Sequence, residues 1–251
     1  MKTSNLYAFR GMNQDFEYSN QNQFSQHSNY QRNENLDPQI HSHFNTSPSE
    51  RLRVIKFLTY ESSHGFSYNN TDINNFFGFQ GIHPLDEQLI QHSRRVSELC
   101  VRIGKAMGLE KQTVIELKIA GMLHDIGKVY VPSEIINKPE KLDQTSLQIV
   151  RTHTLLGYEI LKGIIEYKNI AKYARSHHER IDGKGYPDGL VGDNIPLGSR
   201  IIAVADAYEA MTESRPYRAS LCQKDAIKEL VLNAGTQFDA NIVNVFIEKV
   251  L

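Results

Sequence analysis

From about Asp86 onward Leu, Ile, Val and Ala recur at helical spacing, and no stretch alternates convincingly at period two. That spacing lines one face of a helix, so this part of the chain is expected to pack as an all-α bundle rather than around a sheet. Leu89, Val96, Leu99, Ile103 and Met107 make the stripe of a first helix over Leu85–Leu109, with Asp86 and Glu87 placing negative charge at its start. Val114, Leu117, Ala120 and Gly121 mark a second over Lys111–Asp125. Leu147, Val150, Leu156, Ile160 and Leu161 mark a third over Gln144–Gly163, with Asp143 as its N-cap. Shorter helices are expected over Ile170–His178, Leu197–Glu213, Lys224–Ala234 and Ala240–Val250.

The first fifty residues cannot join that bundle. Roughly two-fifths of them are Asn, Gln or Ser, too few apolar groups to offset the entropy of ordering the chain. Residues 1–50 are therefore expected to be a disordered polar leader, 51–84 a linker or short helical region, and 85–251 the one core domain. His27, His41 and His43 fall in the leader, where a flexible pair has nothing to orient it for a metal. With 28 basic and 29 acidic residues the net charge is −1, so nothing suggests the basic surface that duplex nucleic acid or an anionic membrane requires, and neither is expected as a partner. No run of about 18 apolar residues occurs and no signal-peptide core opens the chain, so a cytoplasmic protein is expected. Cys100 and Cys222 are far apart and form no Cys-x-x-Cys pair; both read as packing or surface residues.

Five histidines follow position 90, each on or at the end of an expected helix: His92, His124, His153, His177 and His178. One inward imidazole is ordinarily a satisfied core residue. Three on different helices, joined by an adjacent pair, are not. Asp125 directly follows His124, and Asp206 interrupts the apolar run IIAVADAYEAM. A carboxylate buried there costs several kcal/mol unless a cation or donor meets it. Imidazole and carboxylate ligands suit first-row metals such as iron or manganese, and seven ligands over-supply one ion but not two. Paired ions can lower the pKa of water and neutralise a phosphodiester, and Lys128 in HDIGK can set a further cation against the same phosphate.

AGMLHDIGK, Ala120–Lys128, resembles the core motif of the HD superfamily of metal-dependent phosphohydrolases, and HHERIDGKGYPDGL, His177–Leu190, is similar to the extended signature of its HD-GYP branch. The second string is highly specific, and the resemblance runs from about Leu85 to the C-terminus, taking in VPSEIINKPEKL, THTLLGYEIL and ADAYEAMTESRPYR. It implies an HD-type helical fold and phosphodiesterase activity on cyclic di-GMP, giving linear pGpG or GMP, with cyclic GMP-AMP as substrate in some members. Transferred residue by residue, it implies metal ligation by His92, His124, Asp125, His153, His177, His178 and Asp206. Asp125 and Lys128 would carry the catalysis, and Lys128, Arg215, Arg218, Asp86 and Tyr186 would meet the substrate. Asp182-Gly183 and Gly185 permit turn conformations that most residues avoid, and Pro187 stiffens the exit. Tyr186 then either walls a cleft, meets a signalling partner, or closes a structural clasp.

One departure bears on metal count. Family members with a third ion carry Glu one turn before the first ligand histidine, where this chain has Gln88, with Glu87 turned off the His92 face. A neutral amide is a poor ligand for a hard cation, so two divalent ions, iron or manganese, are expected. The competing functions are a hydrolase of another cyclic dinucleotide, and a signalling module that binds nucleotide or a partner without turnover, whose mark would be missing ligands. A homodimer is compatible with either.

Overall fold

The computed structural model describes residues 87–138, 140–213 and 220–251. The expected leader and linker, Asp86, the Glu87 side chain, Arg215 and Arg218 lie outside the described residues. Helix α1, Glu87–Ala106, turns back on α2, Lys111–Leu123, which runs into a tight 3-10 turn over Ile126–Tyr130. The short α3, Ser133–Ile136, leads to α4, Gln144–Arg151, and α5, His153–Leu161. Then come α6, Lys168–Ser176, α7, Leu197–Thr212, α8, Gln223–Leu232, and α9, Ala240–Lys249. Among the described residues there is no strand, only the isolated bridges Asp182 to Val191 and Ala234 to Phe238. The expected all-α bundle is the fold found, and no described helix is long and apolar enough to cross a membrane.

Helix α1 lies against α2, α7 and α9, and together they close the core. Cys100 and Ile103 of α1, Leu117 and Leu123 of α2, Ile201 and Ile202 of α7 and Phe246 of α9 are all fully buried there. Cys100 is thus a packing residue and Cys222 a surface one, as expected. Arg200 on α7 bridges Asp193 and Asp239, and Asp239 in turn caps α9 through the N–H groups of Asn241 and Ile242.

Two features differ from the sequence reading. The buried face of α1 runs through Ile90, His92, Ser93, Val96, Ser97, Cys100 and Ile103, whereas Leu89 and Leu99 are only half-buried. Small polar residues make this close face, and apolar periodicity does not register them. The single helix expected over Gln144–Gly163 is two helices that meet at Thr152. Asp143 caps the first as expected, accepting from the Ser146 N–H at 2.8 Å. At the break, Thr152 donates both its N–H and its hydroxyl to the Ile149 carbonyl, and the His153 ring bonds the Val150 carbonyl. These local bonds tighten the turn and stop the α-helical ladder.

Candidate metal centre

Helix ends place most of the imidazoles. His124 caps the C-terminus of α2, His153 opens α5, and His177 caps α6 with His178 next to it, while His92 and Asp206 project from the bodies of α1 and α7. Nδ1 of His124, His153 and His177 bonds the carbonyl three residues back, Gly121, Val150 and Ala174, at 2.7–2.8 Å. A carbonyl can only accept, so each Nδ1 carries the ring proton and each Nε2 presents its lone pair. His92 is oriented by a carboxylate instead: its Nδ1 donates to Oε2 of buried Glu209, whose Oε1 accepts from Arg95 Nε at 2.6 Å.

Asp125 stands between two sets of these nitrogens. Its Oδ1 is 3.3 Å from His153 Nε2 and 3.8 Å from His177 Nε2. Its Oδ2 is 3.4 Å from His124 Nε2 and 4.0 Å from His92 Nε2, with Lys128 Nζ donating to it at 2.6 Å. Ligand atoms of Asp125, His153, His177 and His178 lie within 4.8 Å of one another, as do those of His92, His124 and Asp125. Asp206 joins the second set through His92, with Oδ1 3.1 Å from Nε2. The seven expected ligands are therefore brought together, and Lys128 with them.

Two polar atoms in this centre are not satisfied by the described residues. His124 Nε2 and Asp125 Oδ1 are fully buried without a hydrogen-bond partner among the described residues. Burial leaves such atoms costly unless something else meets them. Oriented Nε2 lone pairs around a carboxylate fit a divalent cation, and the cluster is compatible with metal binding.

The charges divide along the same line. Burial pulls the His153 and His178 imidazoles down to about 4 and about 3, and holds His177 well below its usual value. Burial also pulls on His92, but the Asp206 and Glu209 carboxylates overcome it and push this ring up to about 9. Burial raises Asp125, yet Lys128 and His124 more than offset it and keep the carboxylate ionised.

These shifts set a pH dependence for the metal-free protein. His153 and His178 take up protons only on unfolding, so stability falls as pH drops below 6.5 toward 4. His92 acts in the opposite sense: its contribution is full below 6.5 and is lost as pH rises through about 9. Thermal melts of the metal-free chain are expected to peak near pH 6.5 and fall on both sides; a melting temperature flat from pH 4 to 6.5 would contradict the burial of these rings.

The loop after His178 is held from within. Glu179, 3% exposed, accepts from the backbone N–H groups of Asp188, Gly189 and Leu190 at 2.7–3.1 Å. Arg175 forms a two-pronged pair with Asp188, and the Tyr186-Pro187 bond is cis. Gly183 has a positive φ of 76°, the turn conformation expected; Gly185 is needed for a different reason, since a Cβ there would lie 2.5 Å from the Glu179 and Arg180 backbone. Tyr186 stacks on His178, ring centroids 4.9 Å apart. Glu179→Gln is expected to leave at least one loop N–H unsatisfied, costing about 1–3 kcal/mol locally. Amide hydrogen exchange at 188–190 would then quicken, and unchanged exchange would contradict the role given to Glu179.

Sequence reasoning missed Glu209 and gave Glu179 no role. Glu209 lies one turn after Asp206 on the same apolar helix, and that spacing was the available signal.

A family model described as HD domain matches residues 82–242. The chain belongs to the HD domain family. Among curated relatives of this HD domain protein, the 3'3'-cGAMP-specific phosphodiesterase 1 of Vibrio cholerae is 42% identical, over 52% of this chain and 30% of that protein. The cyclic di-GMP phosphodiesterase response regulator RpfG of Xanthomonas campestris is 38% identical, over 60% of this chain and 40% of its own length. The cyclic di-GMP phosphodiesterase of Thermotoga maritima is 36% identical, over 65% and 45%. The chain thus spans less than half the length of each of these relatives. The solved structure of Bd1817, an HDG"Y"P protein from Bdellovibrio bacteriovorus, shares the fold with a TM-score of 0.54 at 16% identity, over 78% of this chain and 60% of that one.

Proposed function

We propose that this HD domain hydrolyses a phosphodiester bond of cyclic di-GMP, giving linear pGpG or GMP, with two divalent ions, iron or manganese. The observation that carries the proposal is the place of Asp125, one carboxylate oxygen toward His153 and His177 and the other toward His92 and His124. His92, His124, Asp125 and Asp206 would hold one ion, and Asp125, His153, His177 and His178 the other. Bound there, such a pair supplies a water of lowered pKa and neutralises charge on the phosphoryl oxygens. The protein's own part is to aim Nε2 atoms inward, through the Nδ1 bonds of His124, His153 and His177 to the Gly121, Val150 and Ala174 carbonyls, and to orient the His92 ring against the Glu209 carboxylate. Lys128, partly exposed beside Asp125, would pair with a non-bridging phosphate oxygen as substrate enters. Arg215 and Arg218 are assigned to the same anion, and Asp86 to the substrate, on the strength of the sequence motif.

Two ions rather than three is the count assigned, because an amide at Gln88 replaces the acidic ligand a third would require. The similarity to the Vibrio cholerae protein named for 3'3'-cGAMP makes cyclic GMP-AMP the second substrate to test. A cytoplasmic site of action, a signalling partner at the 178–190 loop and a homodimer belong to the same reading.

The test is to incubate the manganese- or iron-loaded chain with each cyclic dinucleotide separately and follow linear dinucleotide and mononucleotide. Faster turnover of cyclic di-GMP is expected. Turnover of cyclic GMP-AMP alone would reassign the substrate, and turnover of neither would overturn the enzymatic reading.

A further inference from the structure

His178 is held differently from the other four imidazoles of the cluster. His92, His124, His153 and His177 each have Nδ1 bonded to an oxygen, whereas neither ring nitrogen of His178 has a hydrogen-bond partner among the described residues. Its ring lies instead against Tyr186, with centroids 4.9 Å apart and planes 24° from parallel. The Arg151 guanidinium is also over the Tyr186 ring, 4.9 Å from its centroid, and Tyr186 sits on the loop that Glu179 and Arg175 tie down.

We propose that Tyr186, itself held by Arg151, is a positioning residue that fixes the His178 imidazole toward a divalent cation, in place of the hydrogen bond its neighbours use. The inference rests on reading the cluster as a metal centre. An imidazole free to turn about its Cβ–Cγ bond presents its lone pair only part of the time, and affinity falls by that fraction. A flat aromatic ring in stacking contact blocks such rotation, since a turned imidazole edge would enter the tyrosine face. A guanidinium over the same ring adds a cation–π attraction that holds the ring in place. The stack needs the ring and not the hydroxyl, so phenylalanine should serve and an aliphatic residue should not.

The experiment titrates Mn²⁺ into the metal-free full chain, wild type against Tyr186→Phe, Tyr186→Leu and Arg151→Leu, reading free Mn²⁺ by electron paramagnetic resonance. In Tyr186→Leu one of the two ions is expected to bind about 10- to 100-fold more weakly, as when a group that orients a ligand is lost. The other ion is unaffected, Tyr186→Phe matches wild type, and Arg151→Leu shifts the same ion to a lesser degree. An unchanged isotherm for Tyr186→Leu, or equal weakening of both ions, overturns the proposal. If Tyr186→Leu does not fold, Arg151→Leu decides, and its unchanged isotherm is the overturning result. A wild type that takes up no Mn²⁺ contradicts the metal-centre reading itself. The orientation claim then rests on the His178 ring resonances of the metal-free chain: ring-current displacement in wild type and Tyr186→Phe, lost in Tyr186→Leu, supports it, and identical shifts in all three overturn it.

Discussion

Asp125→Asn is expected to abolish turnover of cyclic di-GMP while leaving the helical bundle folded. The asparagine side chain has nearly the same shape, so the core around Leu123 and Ile126 should be undisturbed. What changes is charge and ligand character. The present carboxylate directs one oxygen to each imidazole set and accepts from Lys128. An amide offers one oxygen and one N–H₂, so it cannot serve both sets. Loss of one ion of a pair removes several kcal/mol of transition-state charge stabilisation. At 1.36 kcal/mol per tenfold, that is about a thousandfold in rate or more. Metal content and turnover should fall together in the same sample. An Asp125→Asn protein that keeps two ions and a rate within about tenfold of wild type would contradict the bridging role.

Gly127→Ala is expected to cause the largest loss of stability from a single methyl group in the described residues. A Cβ at Gly127 would lie 2.0 Å from the His153 carbonyl oxygen and 2.6 Å from the Gly157 N, both backbone atoms that no rotamer change can move. The 3-10 turn after Asp125 and helix α5 would have to separate. Overpacking of this kind costs about 1–3 kcal/mol, or more where only backbone can yield. For a domain of this size each kcal/mol lowers the melting temperature by about 2–4 °C. Because the atom pushed aside belongs to His153, metal affinity should fall with stability. Gly157→Ala faces the same contact from the other helix, yet its Cβ meets nothing closer than 3.5 Å. That substitution should be neutral or slightly stabilising through helix propensity. Equal melting temperatures for the two variants would contradict the close approach of turn and helix.

The histidine-aspartate cluster was legible in the sequence because most of its side chains sit at helix ends, where the apolar period stops and a His-Asp or His-His pair stands out. The helices were legible from their stripes, but their buried faces were less so. On α1 the contact face is built from Ser93, Ser97 and Cys100 as much as from large apolar residues, so the stripe reading favoured Leu89 and Leu99, which are half-buried. The break at Thr152 depends on hydroxyl and imidazole groups that bond back to the preceding turn, and apolar spacing carries no trace of it. Glu209 went unseen because a glutamate in YEAM reads as a solvated helix face until α1 brings His92 against it. Tyr186 had three readings in the sequence, and its contacts with His178 and Arg151 depend on the fold of the loop, which spacing alone does not give.

The central claim is that Asp125 lies between two metal ions. Anomalous diffraction from crystals of the manganese-loaded chain, collected on the high-energy side of the manganese absorption edge, measures it directly. Two peaks are expected, one beside each carboxylate oxygen of Asp125, the first among His92, His124 and Asp206 and the second among His153, His177 and His178. A single peak, or peaks away from Asp125, would contradict the shared carboxylate, and a third peak beside Gln88 would contradict the count of two.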